Sequence, residues 1–178
     1  MTLTIPTVPS LPAGYIVQAA DLNALAACAT FLMNKPIARV HDGAGGQSLI
    51  GSTYTPITFN TVDVDTDTMY SAGSPTLLTV QTPGFYTLRY AVSINSITHG
   101  TYCTVTTGAG NPLGSGITLT CWGGYSIGNT ASCAMCGGLL PAFMYAGDTV
   151  KVGSVPNTGA VTTLSNVVSF MSLEYVST

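Results

Sequence analysis

The sequence predicts an all-β domain, a jelly-roll β-sandwich preceded by an extended amino-terminal arm and one short α-helix. Three observations carry that prediction. From Pro36 onward the chain falls into short runs of β-type residues, about 8–15 residues apart with glycine at the corners, as in antiparallel sandwiches. The clearest run, Phe85 to Ile94, alternates with a period of two. Residues 18–34 form the one good helix candidate, behind a segment in which proline recurs every third residue.

The arm spans residues 1–17, where Pro6, Pro9 and Pro12 exclude a helix or a central strand. In residues 18–34 the alanines at 19, 20, 24, 26, 27 and 29 favour helix, and Asp21 complements the dipole in the first turn. Leu22, Leu25, Ala29 and Leu32 make an apolar stripe at 3-4-3 spacing, and Asn34-Lys35-Pro36 stops the helix. So short a helix is marginal alone, so the stripe must dock on its own domain, a sister subunit or a host particle. The division expected is an attachment and oligomerisation segment, 1–35, followed by a jelly-roll domain, 36–178.

In the best strand, Tyr86, Leu88, Tyr90, Val92 and Ile94 share one face and Phe85, Thr87, Arg89, Ala91 and Ser93 the other. Further strands are expected at Ile37–His41, Tyr54–Phe59, Thr76–Val80, Tyr102–Thr107, Ile117–Trp122, Ala131–Leu140, Thr149–Val155 and Val167–Val176. The last of these has Val167, Met171, Leu173 and Tyr175 on one side and Val168, Phe170 and Val176 on the other. Apolar character on both faces points to burial on both, as at the axis of an oligomer. The contact residues expected are therefore Leu22, Leu25, Leu32, Phe170, Leu173 and Tyr175.

Charge separates the function classes. Four Lys and Arg and seven Asp and Glu make 6% of the chain, against roughly 25% in an average domain. So little mutual repulsion fits a surface covered by other subunits. A net charge of −3 argues against nucleic acid, which needs a basic patch. No membrane insertion is expected, because the longest apolar run, Leu22 to Met33, is shorter than the ~18 residues of a spanning helix. The opening Met1 to Pro6 lacks the basic and apolar regions of an export signal.

Motifs that could carry chemistry are sparse. Asp63, Asp65 and Asp67 start like a calcium loop but lack its glycine and terminal glutamate, so they read as a solvated or hydrogen-bonded loop. Cys133-Ala134-Met135-Cys136 has no second ligand pair and sits in a strand pattern, where residues three apart point to opposite faces. With Cys28, Cys103 and Cys121 these make five cysteines, expected to be reduced, with one disulfide among the last four left open. His41 and His99 have no local Ser, Cys or acidic arrangement resembling a triad, and no metal, cofactor or catalytic residue is nominated. Trp122 and Tyr125 flank a Gly-Gly turn, an arrangement that fills a core or interface or stacks on a sugar ring.

Several stretches then line up in order: Leu11-Pro12-Ala13-Gly14-Tyr15 leading to Ala19-Ala20-Asp21-Leu22-Asn23-Ala24-Leu25, Lys35 to Val40, Phe59 to Tyr70, Pro83-Gly84-Phe85-Tyr86, Tyr145-Ala146-Gly147-Asp148-Thr149-Val150, and Leu173 to Val176. In this order they resemble virion accessory proteins of actinobacterial phages. The domain of those proteins is similar to the jelly roll of tumour necrosis factor and complement-type heads. The sequence departs from them at His99 to Cys103, where an arginine-rich centre is usual, so loop contacts of the relatives do not carry over. The resemblance implies a homotrimer on the virion, made in the host bacterial cytoplasm, with the major capsid protein or tail proteins as partners. It would decorate or stabilise the capsid or form part of the tail. The alternative is a receptor- or carbohydrate-binding module of the tail tip.

Overall fold

The computed structural model describes residues 3–94, 98–127, 133–156, 161–163 and 169–178, with side chains described except at 98, 99, 119, 121–127 and 133–141. The described elements are helix α1 (Ala19–Met33) and strands β1 (Ile37–Asp42), β2 (Ser48–Leu49), β3 (Thr55–Pro56), β4 (Thr61–Asp65), β5 (Leu77–Thr79), β6 (Gly84–Ile94), β7 (Thr98–Thr106), β8 (Thr118–Ile127), β9 (Cys133–Met144), β10 (Thr149–Pro156), β11 (Val161–Thr162) and β12 (Ser169–Ser177). One antiparallel sheet has the order β4-β1-β12-β6-β9. The other runs β3-β10-β7-β8, with β5 also on β10, and β2 and β11 pair at the side. Non-consecutive neighbours in both sheets are those of a jelly roll.

The core lies between the sheets and follows the alternation. Tyr86, Leu88, Tyr90, Val92 and Ile94 of β6 are buried, as are Ala38 and Val40 of β1 and Met171, Leu173 and Tyr175 of β12. Val150 and Val152 of β10 and Cys103 and Val105 of β7 close the core from the second sheet. Each large side chain so buried contributes about 1.5–3 kcal/mol relative to exposure. Tyr86 is fully buried because its hydroxyl donates to the Thr82 carbonyl oxygen at 2.6 Å, so the ring brings no unpaired polar group inside.

Three expectations need correction. The run Tyr54–Phe59 forms a strand only at Thr55–Pro56; the Ile57 N–H still donates to the Val152 carbonyl oxygen at 2.9 Å, but the Phe59 N–H turns away to that of Pro75 at 2.9 Å. Asp63 and Asp65 belong to an edge strand, β4, rather than a loop; its exposed side accepts polar side chains. The short strands β2 and β11 carry no apolar alternation long enough to be read. Val167 and Val168 lie outside the described residues.

The arm is strapped to the body at its start. The Leu3 N–H donates to Oδ1 of the fully buried Asp67 at 2.8 Å, and Thr82 Oγ1 donates to the Leu3 carbonyl oxygen at 2.9 Å. Ile5 then packs against the edge of the core.

Candidate assembly surface

The helix begins with a reciprocal capping box. The Gln18 side chain accepts from the first turn, and the Gln18 N–H donates to Asp21 Oδ2 at 2.8 Å. None of its residues is buried. The face turned to the body is Ala24, Cys28 and Phe31, each half-buried, with the Phe31 ring edge-on to Tyr175 at 5.4 Å. Tyr175 in turn meets Tyr86 edge-on at 5.6 Å, which links the helix to the core. Of the expected stripe, Leu22 is 59% exposed, Leu25 41% and Leu32 72%, so these leucines do not dock on the chain's own body and stay available to another subunit or a particle. A helix apolar on nearly every side offers more than one stripe, and the one ending in an aromatic ring took the body.

The outer face of the first sheet gathers three of the four Lys and Arg residues and two of the seven carboxylates. Strand β12 lies between β1 and β6, so Arg39, Ser172 and Arg89 share one row across three strands. The Arg39 guanidinium lies 4.8 Å over the Phe170 ring, and its Nε is 3.2 Å from Asp63 Oδ2. His41 Nδ1 approaches the other oxygen of Asp63 at 2.9 Å. Lys35 pairs with Glu174 at one end of the face. At the other edge Phe85 and Phe143, opposite in the ladder, meet edge-on at 5.2 Å and are 37% and 41% exposed. Exposed ion pairs of this kind are worth about 0–1 kcal/mol each, so they do little for the isolated fold. Arg89 is exposed and has no ion pair or hydrogen bond among the described residues.

Of the contact residues expected from sequence, Leu22, Leu25 and Leu32 are therefore available and Phe170 is half-buried on the outer face. Leu173 and Tyr175 are not: they face the chain's own core, at 0% and 4% exposure. The outward side of β12 is Phe170, Ser172, Glu174 and Val176, because the period of two that sends Met171 inward sends Leu173 and Tyr175 with it. Sequence reading missed Arg39, Phe85, Arg89 and Phe143 as surface features, although the alternation of β6 already set Phe85 and Arg89 opposite the core face.

The acidic run does not converge. Asp63 is held by Arg39 and His41. Asp65 accepts from the N–H groups of Met69 and Tyr70, both at 2.9 Å, and Asp67 holds Leu3. No group of three ligating side chains close enough to hold an ion occurs among the described residues. A hollow of about 400 Å³ beside Val105, Leu113 and Phe143 contains one carboxylate, Asp148. It is buried and already accepts from the N–H groups of Gly108 at 2.7 Å and Tyr145 at 2.9 Å and from Asn111 Nδ2 at 3.1 Å. It ties two loops together and is not open to a ligand. The side chains of His99, Cys121, Trp122, Tyr125, Cys133 and Cys136 lie outside the described ones; along the backbone Trp122 pairs with Tyr102 and Cys136 with Ala91. Among the described residues no helix is long and apolar enough to cross a membrane.

No protein-family model matches the sequence, and no curated protein matches it. Solved structures do match the fold. The globular domain of zebrafish complement 1qA protein superposes with a TM-score of 0.52 at 17% identity, covering 80% of this chain and 98% of that one. Murine APRIL gives 0.54 at 12% identity, covering 79% and 98%. Eiger, a TNF protein of S. frugiperda, gives 0.50 at 14% identity, covering 80% and 94%. The chain has a TNF/C1q-like jelly-roll fold.

Proposed function

We propose that this chain is a structural, non-catalytic protein of the bacteriophage virion surface, a homotrimer that decorates or stabilises the capsid or forms part of the tail. The observation that carries the reading is the helix, a fifteen-residue apolar element with no buried residue and with Leu22, Leu25 and Leu32 turned to solvent. An apolar stripe left uncovered on a chain with so little charge fits a permanent partner better than free solution. The likeness to TNF and C1q heads supports three-fold assembly, and the sequence resemblance to phage accessory proteins supports the virion. In this reading the arm and helix hold the particle, and the jelly roll projects from it.

Light scattering on the full chain at micromolar concentration tests the assembly. The expected mass is three times that of the 18.2 kDa chain, and a monomer overturns the trimer. Location is tested by a density map of particles carrying or lacking the gene product. Missing density on the capsid or along the tail is expected, and unchanged particles overturn the virion role.

A further inference from the structure

The outer face of the second sheet holds a hollow of about 300 Å³ lined by Tyr54, Tyr102, Thr104, Thr120 and Val155. That volume is at the small end of the roughly 300–1,000 Å³ of ligand sites. Alternation along β7 buries Thr101, Cys103 and Val105 and leaves Tyr102 and Thr104 facing out. The two tyrosine rings meet nearly at right angles, with planes at 81° and centroids 6.4 Å apart, and make a corner.

Glycine is what lets that corner form. A Cβ on Gly153 would stand 2.6 Å from Tyr54 Cε2, and one on Gly100 would stand 3.2 Å from Tyr102 Cε2. Both rings thus lie against the sheet backbone; a side chain at 153 would push the Tyr54 ring off, and one at 100 would shift the Tyr102 ring slightly.

Hydroxyls flank the corner. Thr104 and Thr120 are opposite in the ladder, and the next outward pair, Thr106 and Thr118, has its hydroxyl oxygens 3.0 Å apart. The Tyr54 hydroxyl is buried beneath the corner without a well-formed hydrogen bond; burial pushes its pKa up, and the Thr104 side chain offsets part of that. Among the described residues no charged side chain lines the hollow, and Lys151, opposite Thr104 in the ladder, lies outside the lining.

Aromatic corner, hydroxyl rim and absence of charge together select the ligand. An apolar ligand would strip water from the exposed Thr120 hydroxyl and offer it nothing in return, and an anion would meet no cation among the described lining residues. A sugar ring satisfies both requirements, with an apolar C–H face to stack on tyrosine and hydroxyls to exchange with threonine. We propose that this hollow binds a neutral pyranose of a glycan, stacked in the Tyr54–Tyr102 corner and hydrogen-bonded by Thr104 and Thr120. The site lies within one chain, so it stands or falls independently of the assembly.

The test is an amide-resolved NMR titration of the full chain with glucose, galactose, mannose and N-acetylglucosamine at millimolar concentration, and with glucuronic acid as the charged control. Shifts confined to Tyr54, Tyr102, Thr104, Thr120 and Val155 with at least one neutral sugar are expected. A Tyr102→Ala variant should lose about tenfold in affinity, Tyr102→Phe should keep it, and Phe143→Ala in the other hollow should not change it. Absence of shifts with every neutral sugar overturns the site. So do shifts centred elsewhere, or a clear preference for glucuronic acid. If Tyr102→Ala does not fold, the titration of the unaltered chain still decides.

Discussion

Strand β12 and helix α1 are both rich in apolar residues and use them in opposite ways. In β12 every second side chain enters the core, and Met171, Leu173 and Tyr175 are all but inaccessible. In α1 no side chain is buried, and three leucines point to solvent. The strand is satisfied within its own chain, whereas the helix is satisfied only in part, through Phe31 on Tyr175. The body should therefore fold without help, and the helix should report on whatever covers it.

The most forceful way to break this contrast is a pair of truncations. Leu173→Ala removes a core side chain between two sheets and should cost about 2–5 kcal/mol in urea unfolding. Leu32→Ala should change the stability of the dissociated chain by less than about 0.5 kcal/mol while weakening assembly, read by sedimentation. Equal costs would mean that the helix is as much part of the core as the strand.

Next in size is the arm, which lies between these extremes. Removing residues 1–17 takes away Ile5 and both hydrogen bonds to Leu3, and leaves the Asp67 carboxylate without its N–H donor. A loss of about 1–3 kcal/mol is expected, with the jelly roll still folded by circular dichroism. Unchanged stability would mean that the arm is not fastened to the body in solution.

The core also makes a prediction in alkali. Burial, then the nearby Asp67 and Tyr175, raise the Tyr86 pKa well above its ordinary 10.0. A folded pKa raised above the unfolded one means that the folded state holds its proton longer. The stability it contributes is complete below pH 10 and is lost as pH rises through the folded pKa. Alkaline unfolding should thus begin above pH 10. Tyr86→Phe should flatten that pH dependence while costing about 1–3 kcal/mol at neutral pH, because the Thr82 carbonyl loses its donor. A variant with the same alkaline profile would assign the effect to other tyrosines.

How much of this was legible in the sequence follows from the same contrast. Where one face of an element is polar, the pattern names the core face: Tyr86, Leu88, Tyr90, Val92 and Ile94 are all buried, although Ala91 and Ser93 on the opposite face are buried too. Where both faces are apolar it does not. Leu173 and Tyr175 read as contact residues but line the core, and of the three partners the helix stripe allows, the pattern does not tell that the chain's own body takes Ala24, Cys28 and Phe31 instead. Edge strands failed for another reason. The carboxylates of Asp63 and Asp65 look like a loop because an edge strand tolerates charge on its solvent side. Pairing partners distant in sequence, such as Arg39 with Asp63 or Tyr54 with Tyr102, leave no local signal at all.

The smallest expected effect sharpens the contrast most. Arg39 and Asp63 form a half-exposed pair, with 49% and 36% of their side chains accessible. In the dissociated chain, a double-mutant cycle through Arg39→Ala and Asp63→Ala should give a coupling of about 0.2–1 kcal/mol that falls with added salt. His41 shares the carboxylate, so the cycle is run at a pH where its charge does not change. If a neighbouring subunit covers this face, the pair loses water and removing one partner strands the other charge. The coupling then rises and its salt dependence fades. A small, salt-sensitive value at assembling concentrations would leave the outer face of the first sheet open and put the contact on the helix alone.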